Sequence, residues 1–165
     1  MVMLSEKMKI AFITGHIPLK KVAESINKEK IINKTIQLHH SLKRDFGITK
    51  PKIAVLGLNP HAGENDMLGM EESDVISPAV SHLKTKENIL ADGPFSADSF
   101  FTQEKLKKYD GIIAMYHDQG LIPFKGLSFS SGVNYTAGLN AIRTSPVHGV
   151  AYDISGQNNA NSDSF

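Results

Sequence analysis

The 165 residues contain no cysteine. That absence excludes disulfides and thiolate metal ligands, and fits a reducing, cytoplasmic setting. An excess of charge of one sign is missing too. Eighteen Lys and Arg stand against 17 Asp and Glu, a formal net charge of +1, so no global field draws the chain to nucleic acid or to an anionic membrane. No apolar run approaches the roughly 20 residues that cross a bilayer. Residues 1–13 lack the basic start and long apolar stretch of a signal peptide. What is present, 41% hydrophobic and 21% charged residues, is the composition of an ordinary globular domain with a real core. Any metal must be held by His, Asp, Glu or backbone oxygen. Histidines stand at 16, 39, 40, 61, 82, 117 and 148.

Hydrophobic patterning predicts alternating strands and helices. Lys9 to Thr14, Lys52 to Leu58 and Gly111 to Tyr116 are short continuous apolar runs that predict buried strands. Gly132 to Ala137 predicts a further strand, and Asn88 to Ala91 a short one. Lys20 to Arg44 carries Val22, Ile26, Ile32, Leu38 and Leu42 at near-helical spacing and predicts one long helix. Glu71 to Lys86 predicts a second, with Pro78 at its start or at a kink. Ser96 to Phe101 and Gln103 to Lys108 predict short helical pieces. Asn59 to Gly69, His117 to Gly120 and Ala141 to Gly156 predict loops. Apolar strands separated by helices indicate a mostly parallel sheet covered on both faces. There is no internal repeat, and residues 1–165 are read as one segment without an internal boundary.

Three histidines share a context. His16, His61 and His117 each follow a predicted buried strand, and in an open α/β sheet ligands bind beyond the carboxyl ends of parallel strands. Neutral imidazole suits Zn, Co, Ni or Fe, and three protein ligands leave room for a substrate. Taken singly, each would be read as capping a strand. Three at matching positions favour a metal site. His39, His40 and His82 lie in predicted helices, on solvated faces. Asp118 and Gln119 follow His117; a carboxylate there can orient an imidazole, accept a proton, bind an ammonium or, equally, cap the loop backbone. Glu64 is either a carboxylate behind the metal ligands or an acid at a helix start, the latter preferred. Lys125, Asn134 and Arg143 suit a phosphate or carboxylate, although an isolated Lys or Arg is usually just solvated. The segment His148 to Asn161, with Gly149, Asp153 and Gly156, has the makings of a loop that wraps an adenosine. No G-x-G-x-x-G occurs, so a nicotinamide enzyme built this way is not a Rossmann protein.

GHIPL at 15–19, LNPHAGE at 58–64, MYHDQGLIPFK at 115–125, GVNYTAGL at 132–139, IRTSPVHG at 142–149 and AYDISG at 151–156 resemble, in order and spacing, the 4-hydroxythreonine-4-phosphate dehydrogenases of the PdxA family. The resemblance implies an isocitrate/isopropylmalate dehydrogenase-like fold. It implies His16, His61 and His117 as ligands of a divalent metal (Zn, Mg or Co), and Lys125, Asn134 and Arg143 as substrate-binding residues. His148, Gly149, Asp153, Gly156 and Asn161 would bind NAD or NADP, while Asp118 and Lys125 are the catalytic candidates. The partners it implies are a small phosphorylated substrate and a second subunit, in a cytoplasmic homodimer with the metal at the interface. The implied reaction oxidises 4-phosphooxy-L-threonine and decarboxylates the product to 3-amino-2-oxopropyl phosphate, in vitamin B6 biosynthesis.

By the same resemblance the chain is expected to lack a region before Met1, including a His-Thr pair that binds substrate, and a helix after Phe165. It is therefore expected to turn over slowly or not at all by itself. Two other readings stand beside this one. One is a paralogue acting on phosphorylated threonate or erythronate; the other is a non-catalytic metal-binding fragment. A metal-dependent hydrolase is disfavoured by the segment 148–161.

Overall fold

A computed structural model describes residues 1–128, 131–147 and 152–159, without the side chain of Asp153. Its centre is a seven-stranded sheet of order β4-β3-β5-β2-β1-β6-β7. The strands are β1 (Val2–Leu4), β2 (Lys9–Phe12), β3 (Lys52–Leu56), β4 (Leu90–Phe95), β5 (Gly111–Ala114), β6 (Val133–Tyr135) and β7 (Thr144–Pro146). β4, β3, β5 and β2 run parallel. The other three join through antiparallel pairings, β1 on β2, β6 on β1 and β7 on β6. The expected α/β sheet is there, with antiparallel strands added on one side. β1 and β7 have no counterpart in the expected elements, because three-residue strands carry too little periodicity to stand out. Ala141 to Gly156, expected to be mostly loop, contains β7 and a 3₁₀ turn at Tyr152–Ile154.

Side-chain alternation along the central strands divides the core in two. Ile53, Val55, Ile113 and Met115 point to one face, where they meet α2 (Lys28–Arg44) and α3 (Ser77–Thr85) through Ile31, Leu38, Leu42, Ala79 and Leu83. Ala54, Leu56, Ile112 and Ala114 point to the other, with Phe100, Tyr109 and, from α5 (His117–Ser128), Leu121 and Phe124. Strands buried on both faces read as unbroken apolar runs, which is how these appear in the sequence.

The helices differ from expectation in three places, each for a local reason. The long helix breaks at Ile26, leaving a short α1 (Val22–Ser25). There the Asn27 side chain accepts the Lys30 N–H at 2.9 Å, and this N-cap starts a new helix instead of continuing the old one. Ser96 to Phe101 forms bends and turns rather than helix. Its Phe100 is fully buried in the second core and holds the segment down. His117 to Gly120 is not a loop but the first turn of α5. Gly120 and Pro123 look like breakers in sequence, but Gly120 lies against the sheet. A Cβ there would meet Phe12 Cε1 at 2.6 Å and Ile10 Cδ1 at 2.7 Å. The short helix α4 (Gln103–Lys108) falls where expected, started by Thr102, whose hydroxyl accepts the Lys105 N–H. No described helix is long and apolar enough to cross a membrane.

Candidate functional site at the carboxyl edge of the sheet

Pairing between β2 and β5 continues past their ends. Ile13 N donates to Ala114 O (2.9 Å), Thr14 N to Met115 O (3.1 Å), and the Thr14 hydroxyl to the same carbonyl (2.8 Å). The next residues outward, Gly15–His16 and Tyr116–His117, must therefore emerge side by side. The His16 and His117 rings stand 5.3 Å apart between centroids. They share a cleft of ≈ 300 Å³ with Ile17, Leu19, Val22 and Asp118. Phe12 backs the His117 ring at 6.2 Å. Asp118 Oδ1 lies 2.6 Å from His117 Nδ1, a contact that orients the imidazole. Gln119 ties two strand ends together. Its Oε1 accepts Met115 N–H at 2.7 Å, and its Nε2 donates to Gly57 O at 2.7 Å.

β3 and β4 are likewise extended, by Gly57 N donating to Phe95 O at 2.7 Å. This brings the segment carrying His61 next to Asp98, whose Oδ2 is 3.8 Å from His61 Nδ1. The Ser96 hydroxyl bonds Asp98 and, together with smaller contributions including the nearby His61, holds its carboxyl below the usual range. All three histidines thus lie along one edge, His117 between the other two in strand order. His16 and His117 are adjacent, while His61 turns toward Asp98. Among the described residues no group of three or more His, Asp or Glu side chains stands close enough to hold a metal ion within one chain.

His61 sits in unusual backbone. Residues 61 to 66 all have positive φ: 52°, 52°, 83°, 44°, 56° and 69°. Only residue 63 is glycine, and each non-glycine in this region costs about 1–2 kcal/mol, less for Asn and Asp. Glu64 is exposed within this turn and starts no helix, contrary to its preferred reading. Beneath the approach to this turn lies Glu72, 4% exposed, which the sequence reading missed. Its Oε1 accepts Leu58 N–H (2.6 Å) and Asn59 N–H (2.8 Å), and its Oε2 accepts Asn59 Nδ2–H (2.9 Å). The sequence did carry a signal. Glu72 falls on the buried stripe of Ile76, Ala79, Val80 and Leu83, and a carboxylate at a core position must be paired.

The substrate candidates are more dispersed. Asn134 is in register with Met3 and so faces the α5 side of the sheet. Its Oδ1 is buried without a hydrogen-bond partner among the described residues. Arg143 lies past the carboxyl end of β6, exposed, with Nη1 donating to the Thr136 hydroxyl at 3.0 Å. Lys125 is half-buried on α5, about 12 Å along the axis from His117. His148, Gly149 and Asn161 lie outside the described residues, as does the side chain of Asp153. Gly156 has φ 75° and open space where a Cβ would point. Among the remaining histidines, His39 and His40 face each other on α2, and His82 pairs with Glu87 at 3.4 Å, all away from this edge.

A family model described as "Pyridoxal phosphate biosynthetic protein PdxA" matches residues 1–165. The chain is 50% identical over its whole length to a 4-hydroxythreonine-4-phosphate dehydrogenase of Bacteroides thetaiotaomicron, of which it covers 45%. It is 52% identical over 158 residues to the enzyme of that name from a Sulfurihydrogenibium species, covering 48%. A crystal structure of the Klebsiella pneumoniae enzyme superposes with a TM-score of 0.83 at 42% identity, over 93% of this chain and 46% of that one. A terephthalate 1,2-cis-dihydrodiol dehydrogenase of Burkholderia xenovorans is similar too, at TM-score 0.78 and 25% identity, over 94% of this chain and 49% of that one. The chain spans about half the length of the curated relatives it matches.

Proposed function

The chain belongs to the PdxA family of pyridoxal phosphate biosynthetic proteins, and on that premise we propose that the protein containing it oxidises 4-phosphooxy-L-threonine with NAD or NADP. Loss of carbon dioxide from the resulting β-keto acid then gives 3-amino-2-oxopropyl phosphate. The observation that carries the reading is the paired imidazoles of His16 and His117, with Asp118 on His117 Nδ1. A ring nitrogen bonded to a carboxylate, with the other ring nitrogen free, is the usual dress of a metal-ligating histidine. The donor chemistry therefore fits a divalent ion, held by His16 and His117 and joined by His61. In a homodimer with the site at the interface, a second subunit would complete the set. Exposed Leu19, beside His16, and exposed Met67, Leu68 and Met70, beyond His61, suit burial in such an interface.

The chemistry supplied by the bound groups is acidification of the substrate hydroxyl by the metal and acceptance of the hydride by the nicotinamide. The chain's own residues bind and orient. Asp118 keeps the His117 ring aimed at the cleft, and its exposed carboxylate can take up the hydroxyl proton. Arg143 and Lys125 hold the anionic ends of the substrate, phosphate and carboxylate. Asn134 Oδ1, buried and unpaired among the described residues, accepts from an N–H or O–H of the substrate. His148, Gly149, Asp153, Gly156 and Asn161 hold the adenosine half of the dinucleotide. Zn and Co suit these imidazole donors, whereas Mg would draw on oxygen ligands such as the Asp118 carboxylate and water.

The test is a dehydrogenase assay of the natural protein with 4-phosphooxy-L-threonine, NAD or NADP and each metal in turn. Metal-dependent nicotinamide reduction is expected. Reduction with phosphorylated threonate or erythronate, but not with 4-phosphooxy-L-threonine, would overturn the substrate. Tight metal binding with no reduction on any of them would overturn the enzyme.

A further inference from the structure

The turn that carries His61 is left-handed throughout residues 61–66, a conformation that L-residues leave unless the surroundings hold them there. Beside the turn's own backbone bonds, Ala62 N–H to Asn59 O and Leu68 N–H to Gly63 O at 3.1 Å each, stands a buried carboxylate with space made for it. Glu72 takes the N–H groups of Leu58 and Asn59 and one Nδ2 hydrogen of Asn59. The other Nδ2 hydrogen goes to Glu71 Oε2 at 2.7 Å. Three glycines line this clamp. A Cβ on Gly57 would stand 3.0 Å from Glu72 Oε1, one on Gly63 2.8 Å from Glu72 Oε2, and one on Gly69 2.4 Å from Asn59 Nδ2. Glu72 also opens the π-helical turn Glu72–Ile76, where the widened backbone carries it toward the strand end. Gly57 completes the frame on the other side, because its carbonyl is held by Gln119, two residues beyond His117.

We propose that Glu72 is the positioning residue for His61. It fastens the exit of β3 and holds the following turn left-handed, so that the His61 imidazole is presented at the carboxyl edge rather than released to solvent. The proposal rests on the reading of His61 as a metal ligand only for its functional consequence; the clamp itself can fail or stand independently.

The experiment uses the full chain with cobalt alone as probe, following affinity and the visible spectrum of the bound ion, together with amide hydrogen exchange. Glu72→Gln keeps the volume but opposes an NH₂ to Asn59 Nδ2. It should speed exchange at Leu58 and Asn59 and through residues 61–66, alter the cobalt spectrum, and lower cobalt affinity by about 10-fold or more. Adding Ala62→Gly, which removes the left-handed penalty at one position, should recover part of that affinity. A carboxylate that served only general stability would leave the spectrum of the bound cobalt unchanged. If Glu72→Gln does not fold, Glu72→Asp, which shortens the side chain by one methylene and draws the carboxylate away from the Leu58 and Asn59 N–H groups, carries the same readouts. Unchanged exchange over 58–66 overturns the clamp. Faster exchange with unchanged affinity and spectrum overturns the positioning role. A His61→Ala control that still binds cobalt normally would instead strike the ligand assignment, leaving the exchange result to judge the clamp.

Discussion

Replacing Gly120 with alanine sets two effects of opposite sign against each other. Gly120 lies inside α5, where glycine to alanine gains roughly 1 kcal/mol in helix propensity. Its new Cβ, however, would stand 2.6 Å from Phe12 Cε1, 2.7 Å from Ile10 Cδ1 and 3.1 Å from Ala114 Cβ. Carbon contacts prefer about 3.5–4.0 Å, so α5 must withdraw by about 1 Å or two core side chains must leave their rotamers. Ile10 is fully buried and Phe12 nearly so, and the Ala114 methyl has no rotamer to change. Overpacking of this kind costs about 1–3 kcal/mol. The net expectation is a loss of about 1 kcal/mol, read as a lower urea midpoint at unchanged slope. His117 begins the same helix and its ring rests near Phe12, so metal affinity should fall together with stability. A variant more stable than the parent by about 1 kcal/mol would show that propensity wins and that the close approach of α5 to the sheet is not as described.

Asp118→Asn should weaken divalent-metal binding by about 10- to 100-fold without unfolding the chain, the usual effect of removing a carboxylate behind a ligating imidazole; equal affinity by titration calorimetry would remove Asp118 from the site. Replacing His61 or His117 with Ala should abolish metal binding, and unchanged stoichiometry in both would sink the ligand assignment. Tyr109, desolvated and facing the Asp92 carboxylate, is pushed up to about 12. The folded state therefore keeps a proton that the unfolded chain loses near 10, so this contribution is complete below about pH 10 and fades as pH rises toward 12. A phenolic titration in which the step lost in Tyr109→Phe lies near 10 would contradict this. At the acid end, the Arg44 guanidinium, aided by the Tyr135 hydroxyl, holds Asp45 below its usual range against desolvation. Stability from the link between α2 and β6 should be present above about pH 4 and be lost as pH falls through the folded value; a parent no more acid-sensitive than Asp45→Asn would refute it.

The histidines were legible because each follows an apolar run, and a parallel sheet delivers the ends of such runs to one edge. The sheet's order was not. Nothing in the residues of β2 and β5 says that they are neighbours, although that adjacency puts His16 beside His117 and leaves His61 on the far side. Asp118 was visible as a carboxylate with four possible roles; only the fold shows its 2.6 Å approach to His117 Nδ1. Glu72 passed unnoticed because it resembles an ordinary helix-surface acid until its burial is known. The start of α5 was misread because Gly120 and Pro123 are judged by backbone preference in sequence, whereas in the fold Gly120 is required by contact.

The sequence by itself determined the apolar strands buried on both faces, the helices that cover them, the absence of thiolate ligands, and the motifs that assign the family. These are properties of neighbouring residues, so order along the chain suffices to read them. Only the tertiary structure decided the antiparallel strands at one side, the pairing of two histidines 101 residues apart, and the left-handed turn at His61. Such features are chosen by contacts between segments apart in sequence, as where Glu72 meets the exit of β3 with Gly57 and Gly63 leaving it room. Local preference alone would have chosen otherwise.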